Sequence, residues 1–274
     1  MSFRARVTRL AGVAVLAAVL APVMGSSGAL GNTSSQVVVQ RGQPLELAFT
    51  AVNTQGEFLA EASQSIENAV RMAIERHATI RGFPVQVNVV ETLCGVDNTA
   101  AATEIVNNAQ NTAVLGHLCS AGFENALEIY DEAGVVTISG SASNSSLPAH
   151  GPTVFNRTIV VSDAPGDDGE LWGTQVAALP TVLEWAQEYE ADFGEAPFLQ
   201  PLPALYFDAA SLLLKRLQQV SRIVDGNLVI DRGKLAQAVR ASTKYQGVTC
   251  KVTLDPATGN RLNDQAALAR CAEG

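Results

Sequence analysis

The stretch TAVLGHLCSAGFENALEIYDEAGVVTISGSASN, residues 112–144, decides how this chain folds. Residues 113–118 are an apolar strand that ends in Cys119-Ser120. Residues 121–133 recur with helical spacing and stop at Gly134, a helix terminator. Residues 135–139 form a second apolar strand, followed by the small polar loop Gly140-Ser141-Ala142-Ser143-Asn144. Strand, helix, strand in this order predicts a parallel pair with a helical crossover. Open parallel sheets hold ligands outside the carboxyl ends of their strands. Here two successive strands end in small hydroxyl residues. Backbone N–H groups at a helix start, with serines beside them, suit a carboxylate. The same serines also serve as ordinary turn and capping residues.

Working outward, residues 45–52 are nearly all apolar, as a buried parallel strand requires. Residues 54–57 (TQGE) predict a capping box opening a helix whose apolar face is Phe58, Ala62, Ile66, Ala69, Val70, Ala73 and Ile74. Residues 84–90 are the next strand, and Asp97 caps a helix carrying Ala101, Ile105 and Val106. The order β-α-β-α-β-α-β predicts a doubly wound α/β sheet covered on both faces. Residues 148–157 read as a connection and residues 162–173 (SDAPGDDGELWG) as an acidic, glycine-rich loop. A capping box at 181–184 opens a helix that ends at Gly194. Residues 197–203 are a linker, 204–220 a strong amphipathic helix, 234–241 a short helix and 245–254 a strand.

Residues 1–28 read as a secretory signal. Arg4, Arg6 and Arg9 precede an apolar run over 10–24, and Ser26-Ser27-Gly28 offers a small-residue cleavage site. No cysteine precedes Cys94, so no lipid-anchoring cysteine is expected, and the mature protein is expected to be secreted or periplasmic. Residues 29–44 are expected to be a disordered mature N-terminus. The whole chain has 18 Lys and Arg against 27 Asp and Glu; removing three arginines with the signal leaves 15 − 27, or −12. That acidity argues against nucleic acid and anionic membranes as partners. Four cysteines in an exported chain predict two disulfides, with three pairings open.

The strings Gly116-His117-Leu118-Cys119-Ser120, 129–135 (IYDEAGV) and Ile138-Ser139, with Cys94 upstream, resemble the type 1 periplasmic binding proteins of the branched-chain amino acid transport family. The resemblance runs from about residue 45 to 157 and resumes from about 182 to 261. It implies two Rossmann-like lobes with a ligand cleft between them. It also supports pairing Cys94 with Cys119, which follow neighbouring strand ends. Cys250 pairs with Cys271 on hairpin geometry: residues 255–260 turn the chain, and Cys271 returns at a matching distance. After Arg157, however, the resembling sequence jumps to the helix opening near residue 181. Most of the second lobe's sheet is therefore expected to be missing. The expected organisation is a lobe from 45–160 and 204–274, with 161–203 a remnant of the second lobe or a linker. Binding by one lobe leaves a ligand face wet, where charge pairing is worth about 1 kcal/mol, so affinity is expected to be weak.

The resemblance implies a ligand set of Ser120, Ser141, Ala142, Ser143 and Phe58. Ser120 would bind an amino acid carboxylate. Ser141 would use its backbone and Ser143 its hydroxyl. Phe58 would line the side-chain pocket, although it also begins a helix's apolar face. His117 reads as a core histidine. Asp163, Asp167, Asp168 and Glu170 read as a solvated acidic loop, and Tyr206 and Asp208 as a structural pair. No catalytic motif stands at a strand–helix junction, and the three histidines are scattered. No metal-binding cysteine spacing occurs. The expectation is a non-enzymatic solute-binding protein of an ABC importer without metal or cofactor. Its ligand would be a branched-chain or other small amino acid, or an amide, and its partner a membrane permease. A homodimer through the face left open by the missing lobe, with the chain acting as an interaction module, is the alternative.

Overall fold

The computed structural model describes residues 35–147 and 154–273; the signal segment and residues 29–34 of the expected mature start lie outside them. A six-stranded sheet forms the centre. Its strands are β2 (Leu45–Ala51), β3 (Thr79–Ile80), β4 (Phe83–Glu91), β5 (Asn111–Leu115), β6 (Val136–Ser139) and β7 (Phe155–Arg157), in the order β3-β4-β2-β5-β6-β7. All neighbours run parallel except β3, which forms an antiparallel hairpin with β4 at one edge. Helices α1 (Glu57–His77), α2 (Thr99–Asn107) and α3 (Ser120–Glu132) make the crossovers. From β2 the chain winds first toward β4, then back past β2 to β5, β6 and β7. Winding direction therefore reverses between β2 and β5, the place where such sheets open a crevice.

The central strands are buried on both faces, which is why they read as unbroken apolar runs: all five residues of β5 and all four of β6 are buried. Alpha1 buries Ala62, Ile66, Ala69, Val70, Ala73 and Ile74 at helical spacing. Its capping box does not form. The N-cap is Gly56 without a side-chain cap, and the Thr54 hydroxyl donates instead to Glu91 Oε1 (2.9 Å). Two glycines are required by close approach. A Cβ on Gly116 would fall 1.9 Å from Thr50 Oγ1, and one on Gly140 would fall 2.5 Å from the Tyr206 ring.

Several expectations change. Residues 29–44 are not wholly disordered: β1 (Gln36–Val39) buries Val37 and Val39 and pairs antiparallel with β9 (Asn227–Asp231), next to β8 (Arg222–Val224). That partner lies some 190 positions away, so the local sequence gives no sign of it. Residues 155–157 within the expected connection are β7. The acidic loop 162–173 becomes helix α4 (Asp168–Ala177) from its seventh residue. Asp167 is the N-cap, accepting from Gly169 N and Glu170 N at 2.9 Å. Helix α5 (Pro180–Phe193) starts on a proline rather than on a capping box, and Thr181 Oγ1 donates to Val248 O (2.6 Å). Helix α6 (Leu202–Val220) begins inside the expected linker, and α7 (Arg232–Arg240) follows β9.

Residues 161–203 contain no strand. Trp172, Val176, Trp185 and Tyr189 join the same hydrophobic core as the sheet, and residues 33–274 form one compact unit. The expected strand 245–254 is instead a short hairpin, β10 (Tyr245–Gly247) with β11 (Cys250–Val252). Cys250 does bond to Cys271, with Cα atoms 5.9 Å apart, but Cys271 rides on helix α8 (Gln265–Glu273), not on a returning strand. Cys94 and Cys119 are bonded, with Cα atoms 5.3 Å apart.

Candidate functional site

The loop 140–146 after β6 is held from below and from both sides. From below, Ser139 at the end of β6 is fully buried. Its hydroxyl donates to His117 O (2.8 Å) and accepts from Ala142 N (2.9 Å) and Ser141 N (3.2 Å). Tyr206 on α6 joins the same cluster, donating to His117 O (3.1 Å) and lying 3.0 Å from Ser141 Oγ. Burial raises the pKa of the Tyr206 phenol. The buried Arg157 side chain donates from one terminal nitrogen to Ala142 O (2.9 Å) and Asn144 O (2.8 Å), and from Nε to Asn260 Oδ1 (2.8 Å). Burial lowers its pKa to about 10, and Asp163 pulls the other way. Arg157 thus remains a cation beneath the loop at physiological pH.

The expected site residues separate into groups. Ser120, at the start of α3, accepts from Asn144 N (3.2 Å), so its own hydroxyl proton is not used in that bond. Ser143 Oγ donates to Ser162 O (3.0 Å), while Ser162 N donates to Ser143 O (3.1 Å). The structure thus joins Ser120 and Ser143 through Asn144 into one rim, and both are half-buried. Ser141 and Ala142 sit on the inner side. The Ser141 hydroxyl donates to Leu118 O (2.8 Å), and both backbone N–H groups are taken by Ser139. Ser141 does not have its expected backbone donor free, because a strand-end hydroxyl takes it together with the N–H of Ala142. Phe58 is 58% exposed, so it is not core, and it packs edge-on against Phe198 (5.3 Å between centroids).

Beside Ser143 lies a cavity of about 590 Å³ outside the carboxyl ends of β6 and β7. Its far wall is built from residues 159–174, including the start of α4, and its third side is the loop 199–202. Ile159, Leu199 and Leu202 make it apolar in part; Asp163, Glu170 and Thr174 make it polar. Gln200 also lines it, and neither polar atom of that buried amide has a hydrogen-bond partner among the described residues. A volume in the usual range of roughly 300–1,000 Å³ with a few converging polar groups is what a small-molecule site needs. Sequence reasoning did not find Ser139, Arg157 or Gln200. The first two look like a strand residue and a motif end, and Gln200 sits in an apparent linker.

His117 is 1% exposed, stacked on Phe123 (4.8 Å) and 3.0 Å from the Tyr130 hydroxyl through Nε2. Burial lowers its pKa to about 3, so it stays neutral. Asp167 is held well below the usual carboxylate range, first by the Glu170 N–H and then by the Ser162 hydroxyl. Asp208 is buried and accepts from Val248 N (2.8 Å) and Thr249 N (2.9 Å). Both aspartates hold loops in place. Among the described residues no group of three or more His, Cys, Asp or Glu is placed to hold a metal, and no helix is long and apolar enough to cross a membrane.

No family model and no curated protein matches this chain. Solved structures do. The leucine-binding protein LivK of Thermotoga maritima superposes with a TM-score of 0.63 at 13% identity, over 79% of this chain and 93% of that one. The branched-chain amino acid transporter substrate-binding protein LivJ of Streptococcus pneumoniae, solved with isoleucine, gives 0.59 at 13% identity, over 80% and 94%. A solute-binding protein of an R. palustris ABC transporter, solved with 4-hydroxybenzoate, gives 0.64 at 11% identity, over 80% and 90%. At these identities the likeness is one of fold. The chain has the type 1 periplasmic binding fold of the branched-chain amino acid ABC transporter substrate-binding proteins, and it is shorter than the full fold.

Proposed function

We propose that this chain is an extracytoplasmic solute-binding protein of an ABC importer. It takes up a small amino acid, branched-chain or similar, or an amide, without covalent chemistry, and hands it to a membrane permease. One observation carries the reading: the cavity beside Ser143 at the strand ends, walled by residues 159–174 and closed on a third side by the loop 199–202. An aliphatic side chain suits Ile159, Leu199 and Leu202, and an ammonium suits the Asp163 and Glu170 side of the wall. Ser120 keeps a hydroxyl proton to offer a carboxylate, and Ser143 keeps lone pairs on its oxygen. Ser141 and Ala142 support the rim from behind, and Phe58, packed on Phe198, is not among the residues that line the cavity. Two disulfides fit an oxidising compartment outside the cytoplasm. The relatives in fold named above include binders of amino acids and of aromatic acids, which supports the solute-binding role.

The cavity is walled on one side by a single helix and a loop rather than by a second lobe. A ligand there keeps contact with water, and its ionic contacts stay weak. Titration calorimetry of the monomer with leucine, isoleucine, valine, alanine and glutamine is expected to give saturable binding weaker than about 1 μM. Gln200→Ala and Ser143→Ala are each expected to weaken it several-fold. No response to any amino acid or amide overturns the ligand class. Submicromolar leucine binding overturns the open-site argument. A homodimer across the uncovered strand-end face is a separate proposal, which rests only on the exposure of Phe58 after β2 and Val96 after β4. Sedimentation across a concentration series tests it.

A further inference from the structure

The strand-end cavity presents acceptors, and its lining side chains offer no free proton. Three hydroxyls line it, and each proton is already committed. Ser143 Oγ donates to Ser162 O (3.0 Å), Ser162 Oγ to Asp167 Oδ1 (2.8 Å) and Thr174 Oγ1 to Glu170 O (3.2 Å). The polar atoms of the Gln200 amide are enclosed and add nothing to the cavity surface. Ser120, which accepts from Asn144 N, is not among the lining residues.

The start of α4 is the natural seat for a solute carboxylate, and the chain fills it itself. Asp167 accepts there from Gly169 N and Glu170 N (both 2.9 Å), Asp163 N (2.6 Å), Ala164 N (3.2 Å) and the Ser162 hydroxyl. A solute carboxylate entering the cavity would give up water and find none of these donors free, which disfavours an anion.

The charges point the same way. Two charged side chains line the cavity, Asp163 and Glu170; both are acids and both are exposed. Arg157 attracts Asp163, but it does not line the cavity, and it donates to Ala142 O, Asn144 O and Asn260 Oδ1. Glu170 accepts from Gly166 N and has no ion-pair partner among the described residues. A cleft lined by one sign of charge draws in the opposite sign.

We propose, on the premise that the strand-end cavity is the solute site, that its preferred solute is a branched aliphatic primary amine without a carboxylate. The ammonium donates to Glu170, Asp163 and the Ser143 oxygen, and the chain packs on Ile159, Leu199 and Leu202.

Titration calorimetry of the full chain at pH 7 compares leucinol, leucine and 4-methylpentanoate. All three carry the same isobutyl group. Leucinol has the ammonium alone, leucine both charges, and 4-methylpentanoate the carboxylate alone. Leucinol is expected to bind tighter than leucine by about tenfold or more, and 4-methylpentanoate to give no saturable heat up to about 10 mM. Glu170→Gln keeps an oxygen for Gly166 N and removes the charge. It is expected to cut the leucinol-to-leucine preference by about threefold or more, while unfolding stays cooperative. Leucine binding as tightly as leucinol, or a preference unchanged in Glu170→Gln, overturns the proposal and leaves the cavity standing as a solute site. Silence from all three probes and from the amino acid panel removes the solute site itself, and the proposal with it.

Discussion

Lowering the pH from 7 to 5 should destabilise this protein through His117, by an amount that follows from its burial. The side chain is 1% exposed, and its pKa is lowered from 6.5 to about 3. In the unfolded chain it titrates near 6.5, so between pH 6.5 and 3 the unfolded state binds a proton that the folded state refuses. Stability is therefore complete above pH 6.5 and is lost as the pH falls through that window. Each pH unit inside the window is worth 1.36 kcal/mol. From pH 7 to 5 the loss comes to about 2 kcal/mol. Asp208 contributes with the opposite sign. Burial raises its pKa, so the folded state holds its proton more firmly than the unfolded one. The contribution of Asp208 is common to wild type and variant, and it cancels in their difference. His117→Phe keeps a ring against Phe123 and removes the titration. Urea denaturation at pH 7, 6 and 5 should show wild type losing about 2 kcal/mol more than the variant. Parallel pH profiles, within about 0.5 kcal/mol, would refute the buried neutral histidine.

Ser139→Ala removes the acceptor for two backbone N–H groups and the donor to His117 O; a loss of about 2–3 kcal/mol by chemical denaturation is expected, along with a weaker amino acid response. Opening either disulfide as a double Cys→Ala variant should cost about 3 kcal/mol in the chain-entropy model, and the two variants should have nearly equal urea midpoints because the loops span 25 and 21 residues. Asp208→Ala strips the Val248–Thr249 turn of its acceptor and leaves Arg261 buried without its nearby negative charge. It should cost about 3 kcal/mol, read as a fall in Tm of about 6–12 °C.

The inner strands of the parallel sheet were legible because burial on both faces writes itself as largely apolar runs, 45–51 and 136–139, while in β4 the valines alternate with the polar Gln86 and Asn88. Partners distant in sequence left no such mark. Beta1 buries two of its three valines, Val37 and Val39, whose alternation gains meaning only opposite β9, and β7 is three residues long and includes Arg157 and Asn156, both buried through hydrogen bonds. Helix α4 hid behind Gly and Asp because its stability comes from the Asp167 cap and the burial of Trp172 and Val176, not from helix propensity. At the candidate site, strand-end hydroxyls were visible as a class. Their division of labour was not: Ser139 and Ser141 face inward and Ser120 and Ser143 lie at the rim, a matter of packing against Tyr206. Gln200 gained its place from a loop that folds back beside β7.

Beta1, the first strand of the described chain, finds its hydrogen-bonding partner at residues 228–231, and β7 is fastened by Gly259 and Arg240. Closures over such spans are slow and come last, after the intervening loops have been ordered. A nascent chain is thus without both clasps until almost all of it has been synthesised.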